Sequence, residues 1–157
     1  YVSILDADGK VIKWTALYYE IAPKLCHFII IEYPEAIIMV SAEHHCYILK
    51  SMDKATKDDI RIYYRKVEEI DKFTDIDPSD AILKVCLTAD DELATIIQDR
   101  FNEKYGDYVR GTSSGNMTID LVHKGINKAK GVADMLKYYG IEQKDLIAFG
   151  EKVSIFL

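Results

Sequence analysis

Only three prolines and three cysteines occur in these 157 residues, and neither set forms a pattern. Cys26, Cys46 and Cys86 are odd in number, far apart and set in apolar runs (KLCHF, HHCYI, KVCLT), which excludes a disulfide framework and points to buried thiols in a reducing cytosol. No run reaches the roughly 18 apolar residues that a membrane-spanning helix needs. Even LCHFIIIEYPEAIIMV is interrupted by Glu32, Pro34 and Glu35. A basic excess is missing as well: 20 Lys and Arg stand against 26 Asp and Glu, giving a net charge of -6, so no surface for nucleic acid or an acidic membrane is advertised. Repeats and low-complexity segments are absent. The opening YVSILDADG has neither the basic region nor the cleavage site of a leader, and a strand that starts at residue 1 is expected to belong to a chain whose beginning lies elsewhere.

With 49% hydrophobic residues, a sizeable core can form. YVSIL, DADG and KVIKW alternate around a turn signal and predict a β-hairpin over residues 1–15. Residues 16–32 carry Leu17, Ile21, Leu25, Phe28 and Ile29 at helical spacing, with Pro23 demanding a kink or a late start. AIIMVSAE and HCYILK read as paired strands. ATKDDIRIYYRKVEEI begins as a helix with Thr56 as N-cap, and AILKVCLTA is short, apolar and β-branched enough for a buried strand. DDELATIIQDRFNEKYG is a helix with Leu93, Ile96, Ile97 and Phe101 on one face and Gly106 as its stop, followed by two strands around GTSSGN. The order predicts an α+β fold, a mostly antiparallel sheet with helices on one face, over residues 1–122.

At Lys124–Gly125 the rhythm changes. In GINKAKGVADMLKYYG, Asn127 is a good N-cap, Val132, Met135, Leu136 and Tyr139 form an i, i+3, i+4, i+7 stripe, and Gly140 is placed to end the helix. IEQKDLIAFG then reads as a loop into a buried strand, the αβ half of a parallel-sheet unit, so that residues 123–157 form a short Rossmann-like segment. His123, Lys124, Lys128 and Lys130 crowd the start of this helix, where the helix dipole disfavours cations by about 0.3–1 kcal/mol each. Two readings stay open: solvated lysines, or a phosphate or carboxylate held by free amides and the Lys128 ammonium.

DLVHKGINKAKGVADMLKYYGIEQKDLIAFG resembles the segment of Cof-type phosphatases of the haloacid dehalogenase superfamily in which the chain leaves the cap domain and re-enters the Rossmann-like core. YVSILDADGKVIKWTAL is similar to the hairpin these proteins place after their second core motif. The resemblance implies a Mg²⁺-dependent phosphatase of small phosphorylated metabolites, sugar phosphates above all, working through an aspartyl-phosphate. It implies a cap over residues 1–122 and a partial core over 123–157. Lys128 falls on the lysine of a G-x-[N/S/D]-K-[G/A] motif that holds the attacked phosphate against the nucleophilic aspartate. Asn127, Arg110 and the hairpin tip with Asn116 are then candidates to face substrate.

Two departures from the family pattern stand out. Its acidic metal-binding loop is replaced after Gly150 by Glu151, Lys152, Val153 and Ser154, leaving Glu151 as the only candidate metal ligand, and the part of the core that carries the nucleophile has no counterpart before Tyr1. The letters of Asp6-Ala7-Asp8-Gly9 fit a D-x-D-G nucleophile motif, with Asp6 attacking and Asp8 as acid/base. KVIKW, however, alternates like the return strand of a hairpin, and DADG is an ordinary turn sequence. The chain by itself is therefore expected to be inactive, with a missing core segment or a homo-oligomer as possible complements. The alternative is a non-catalytic anion-binding or protein-interaction module that has lost its metal site. His44, His45 and Cys46 hold metal-capable groups, but adjacent strand residues point to opposite faces and cannot all meet one ion.

Overall fold

The computed structural model describes residues 3–115 and 117–147. The chain forms two compact units, residues 16–124 and residues 1–15 together with 125–157. The hairpin, expected from the sequence to lead into the 1–122 cap, groups with the C-terminal segment.

The larger unit is built on a six-stranded sheet of order β5-β4-β3-β6-β8-β7. Its strands are β3 (Ile37–Ala42), β4 (Cys46–Leu49), β5 (Val67–Ile70), β6 (Ile82–Thr88), β7 (Val109–Gly115) and β8 (Thr118–His123). All neighbours pair antiparallel except β4 and β5, which run parallel. Parallel neighbours need a crossover, and helix α2 (Lys54–Tyr63) supplies it. Helices α1 (Ile21–Glu32) and α3 (Asp91–Tyr105) complete the unit.

Strand alternation decides which face each helix covers. Val40, Val85, Leu87, Ile119 and Leu121 point to one face, where they pack with Leu25 and Ile29 of α1 and Ile97 and Phe101 of α3. Cys46 and Ile48 point to the other, where Ile60 of α2 meets them with Met39 and Val67 alongside. Helices thus lie on both faces, which corrects the expectation of one. The antiparallel majority was expected; α2 goes to the far side because its crossover joins two parallel strands.

Local chemistry explains the element limits. Pro23 is the third residue of α1, inside the first turn where its missing N–H costs nothing, so the helix starts late instead of kinking. Asp53, not Thr56, caps α2: its Oδ1 accepts the Thr56 amide at 3.0 Å and its Oδ2 the Thr56 hydroxyl at 2.6 Å. The segment after α2 is strand β5, not more helix. Glu69 on β5 takes Lys57 at 2.6 Å and Arg61 at 2.5 Å, both from α2, so the charged VEEI strand is held by ion pairs. Of the predicted α3 face, Ile97 and Phe101 are buried but Ile96 is 44% exposed. Gly111–Gly115 continues β7, as the strand reading of DYVRGTSSG expects, and β8 begins at Thr118.

In the smaller unit, β1 (Ser3–Leu5) and β2 (Val11–Trp14) form the expected antiparallel hairpin. Helix α4 (Lys128–Tyr139) is tied to it by Lys13 and Asp134 at 2.8 Å. Gly140 ends α4 in the left-handed region, φ 66°, where a side chain would be strained. The expected helix stripe is only partly buried, with Met135 and Tyr139 exposed. Leu146 and Ile147 follow a single 3₁₀ turn, Gln143–Asp145, and are not in a strand. The rest of the predicted LIAFG strand lies outside the described residues.

Candidate functional site

Lys128 is the first residue of α4, and its side chain is exposed. Among the described residues no carboxylate pairs with it. Asn127 sits before it in extended geometry, and its Oδ1 accepts the Lys130 amide at 2.7 Å. With the Lys130 amide satisfied, the amides of Lys128 and Ala129 remain at the open end of the helix. No acidic residue occupies the first turn, so the end carries both the dipole's partial positive charge and an unneutralised ammonium, a combination that favours an anion. Asn127→Ala is expected to cost about 1 kcal/mol of stability through loss of the cap, read as a lowered urea midpoint.

The four cationic candidates divide between the two units. Lys124 belongs to the larger unit and pairs with Asp107 at 3.3 Å. His123, in the same unit, lies against the Tyr18 ring with centroids 5.6 Å apart. Lys128 and Lys130 alone stand on α4's first turn.

Asp6 is committed to the hairpin turn. Its Oδ1 accepts the amides of Asp8 at 3.0 Å and Lys10 at 2.8 Å, and Gly9 takes φ 80° to close the loop. A strand, this turn and a return strand are present where a nucleophile motif would need a following helix, so the structure gives Asp6 a turn-forming role and leaves Asp8 exposed beside it.

Arg110 alternates with Val109 and Gly111, which point to the α1/α3 side, so its exposed side chain lies on the opposite face. On that face Lys84 bridges both Asp120 oxygens at 3.1 Å. Burial works against the Lys84 ammonium, but Cys86 and Asp120 beside it outweigh that and hold its pKa above the ordinary lysine value. Burial pushes the Cys86 thiol up to about 11 and the Cys46 thiol up to about 12, so both are neutral thiols and not nucleophiles at pH 7. Asn116 and Glu151 lie outside the described residues.

One cluster was read from sequence only as a strand pair. His44 and His45 form the β3–β4 turn, and Asp80, 3% exposed, braces it. The Asp80 carboxylate accepts the His44 amide at 2.9 Å, His45 Nδ1 at 2.9 Å and the Tyr47 hydroxyl at 3.0 Å. Burial pushes the Asp80 carboxyl up, but these bonds outweigh it and hold its pKa below the ordinary 3.8. A depressed carboxyl stabilises the fold above its unfolded pKa and loses that contribution as pH falls through the folded value. Wild type should therefore lose stability below about pH 4 more steeply than Asp80→Asn, measured by urea unfolding across pH 2–5.

Among the described residues no group of three or more His, Cys, Asp or Glu is placed to hold a metal, so the residues on view do not fit one and no chemical step is routed through it. Among them, too, no helix is long and apolar enough to cross a membrane.

The chain is 32% identical over 118 residues to the 5-amino-6-(5-phospho-D-ribitylamino)uracil phosphatase YbjI of Escherichia coli, a match covering 75% of this chain and 43% of that protein. The chain thus spans less than half the length of this curated relative. Among solved structures it superposes on SMU.1108c from Streptococcus mutans with a TM-score of 0.78 at 22% identity, covering 85% of this chain and 50% of that one. It also superposes on a HAD subclass IIB sugar phosphatase with a TM-score of 0.65 at 14% identity, covering 88% and 50%. At such identities these superpositions speak for the fold. Residues 2–153 match the haloacid dehalogenase-like hydrolase family, and the chain belongs to it.

Proposed function

We propose that this chain is part of a phosphatase acting on small phosphorylated metabolites, with the Lys128 ammonium neutralising the phosphoryl group under attack. The observation that carries the reading is the exposed Lys128, without a carboxylate partner among the described residues, at the first turn of an Asn127-capped helix in a chain of this family. A charge placed before the reaction begins stabilises the phosphoryl transition state without reorganisation at the moment of transfer. Residues 16–124 act as the cap, and the hairpin with residues 125–157 as part of the core. Arg110, Asn116 and Asn127 contact substrate, and Mg²⁺ is the metal that the family's chemistry uses. The relative from Escherichia coli acts on a phosphorylated ribitylamino-uracil, and sugar phosphates are the other substrate class carried over.

Asp6 is engaged in its turn, and no metal cluster forms among the described residues. In this reading the 157-residue chain alone is inactive; the engagement of Asp6 in its turn favours the second reading, a module that binds a phosphate ester without hydrolysing it. The test is release of inorganic phosphate from a panel of sugar phosphates and the ribitylamino-uracil phosphate, with Mg²⁺, by this chain and by any longer natural form containing it. Turnover by the longer form only is the expected result. Turnover by neither form supports the binding module, and turnover by the short chain that is lost in Asp6→Asn would restore the nucleophile role of Asp6.

A further inference from the structure

The β3–β4 turn and the connection from α2 to β5 border an open groove of about 320 Å³, lined among others by Ser41, His44, His45, Tyr64, Arg65 and Lys66. That volume is at the lower end of small-molecule sites. The charge distribution around it is uneven. On the same α2–β5 segment Lys57 and Arg61 are both taken by Glu69, and nearby Lys50 by Asp71. Arg65 and Lys66 are exposed and have no ion pair among the described residues. Glu43 is the one carboxylate lining the groove. In a chain of net charge -6, two fixed cations converge with two imidazoles on one concave site.

Backbone hydrogen bonds tie the two sides of the groove together. The Cys46 amide donates to the Lys66 carbonyl at 2.8 Å, fixing the cationic connection to the histidine turn, and the Ala42 amide donates to the His45 carbonyl at 2.8 Å, closing that turn. Asp80 is buried beneath and accepts from His45 Nδ1. An ionised carboxylate only accepts, so a ring proton sits on Nδ1. Nε2 then meets a phosphate either as the second N–H donor of the imidazolium or as an acceptor from the O–H of a phosphate monoanion. A buried carboxylate that fixes one imidazole, beside cations lacking partners, lowers the ordering cost of binding an oxyanion.

We propose that this groove binds the phosphate group of a small phosphorylated metabolite through Arg65, Lys66 and His45, a site built entirely by residues 16–124. The metabolite class rests on the function proposed above; the phosphate chemistry rests on the groove itself.

The test is titration of the 157-residue chain with inorganic phosphate and with glucose 6-phosphate at constant ionic strength, following the imidazole resonances of His44 and His45. Saturable shifts are expected in wild type and in Lys128→Ala. In the double variant Arg65→Ala/Lys66→Ala, whose side chains are exposed and whose fold is checked by the remaining amide resonances, affinity is expected to fall about tenfold or more. Tighter binding of the sugar phosphate identifies the metabolite as the ligand; equal binding identifies the free ion, with the phosphate site intact in both cases. Unchanged affinity in the double variant, or no saturable shift of either histidine in wild type, overturns the proposal. Turnover is not read in this experiment, so its failure leaves the Lys128 reading standing, and absence of phosphatase activity leaves a positive binding result standing.

Discussion

Lys128→Ala is expected to lower kcat/KM for phosphate release by about 10²–10³-fold in the form of the protein that turns over, with the unfolding midpoint unchanged. The size follows from what the proposed role assigns to this side chain, a full positive charge facing the phosphoryl oxygens, where loss of a single neutral donor already costs about 10²-fold. The fold is expected to survive because the side chain is exposed and has no carboxylate partner among the described residues. Removing a cation from the first turn of α4 relieves an unfavourable dipole interaction worth a few tenths of a kcal/mol. Lys128→Arg keeps the charge but changes its shape and reach, and should recover only part of the rate. A loss below about threefold in Lys128→Ala would place the lysine among ordinary solvated charges.

Phe101→Ala is expected to destabilise the 16–124 unit by about 3–5 kcal/mol, read from urea unfolding by tyrosine fluorescence or far-UV circular dichroism. Phe101 is 1% exposed, meets the Phe28 ring edge-on at 5.4 Å and stacks with Tyr105 at 5.7 Å. Its removal leaves a cavity between α1 and α3 that neighbouring rings, held by their own contacts, fill only partly. Ile96→Ala on the same helix is the control. At 44% exposure it should cost about 1 kcal/mol or less. Equal costs at the two positions would contradict the burial pattern assigned to α3.

Most of the fold was legible in short-range patterns. The hairpin around DADG, the Asn127 cap and the Gly140 stop each depend on residues within four positions of one another, and each formed as expected. What escaped was decided by distant partners. VEEI has no alternation of its own; it becomes a strand because β4 pairs with it in parallel and α2 neutralises Glu69. For the same reason α2 lies on the second face, since its burial depends on Cys46 and Ile48 pointing away from α1. Thr56 was an apt cap by residue type, but Asp53, three residues earlier, could take both the amide and the hydroxyl of Thr56.

The candidate site was legible in its first half only. Lys128 follows from a local motif, whereas the groove at His44 and His45 needs Asp80, 36 and 35 residues further along the chain, and the α2–β5 connection. A signal did exist in the sequence: Arg65 and Lys66 are adjacent cations with no acid three or four residues before either of them. Without the sheet order, nothing connects them to two histidines twenty residues away.

The central claim is that a phosphoryl group docks at the open end of α4. Its most direct test is the movement of the Lys128, Ala129 and Lys130 backbone amide resonances as inorganic phosphate is added. A saturable shift at these amides, abolished in Lys128→Ala and retained in Arg65→Ala/Lys66→Ala, is the predicted result. Amides that stay still while the protein releases phosphate from its substrate would contradict the account.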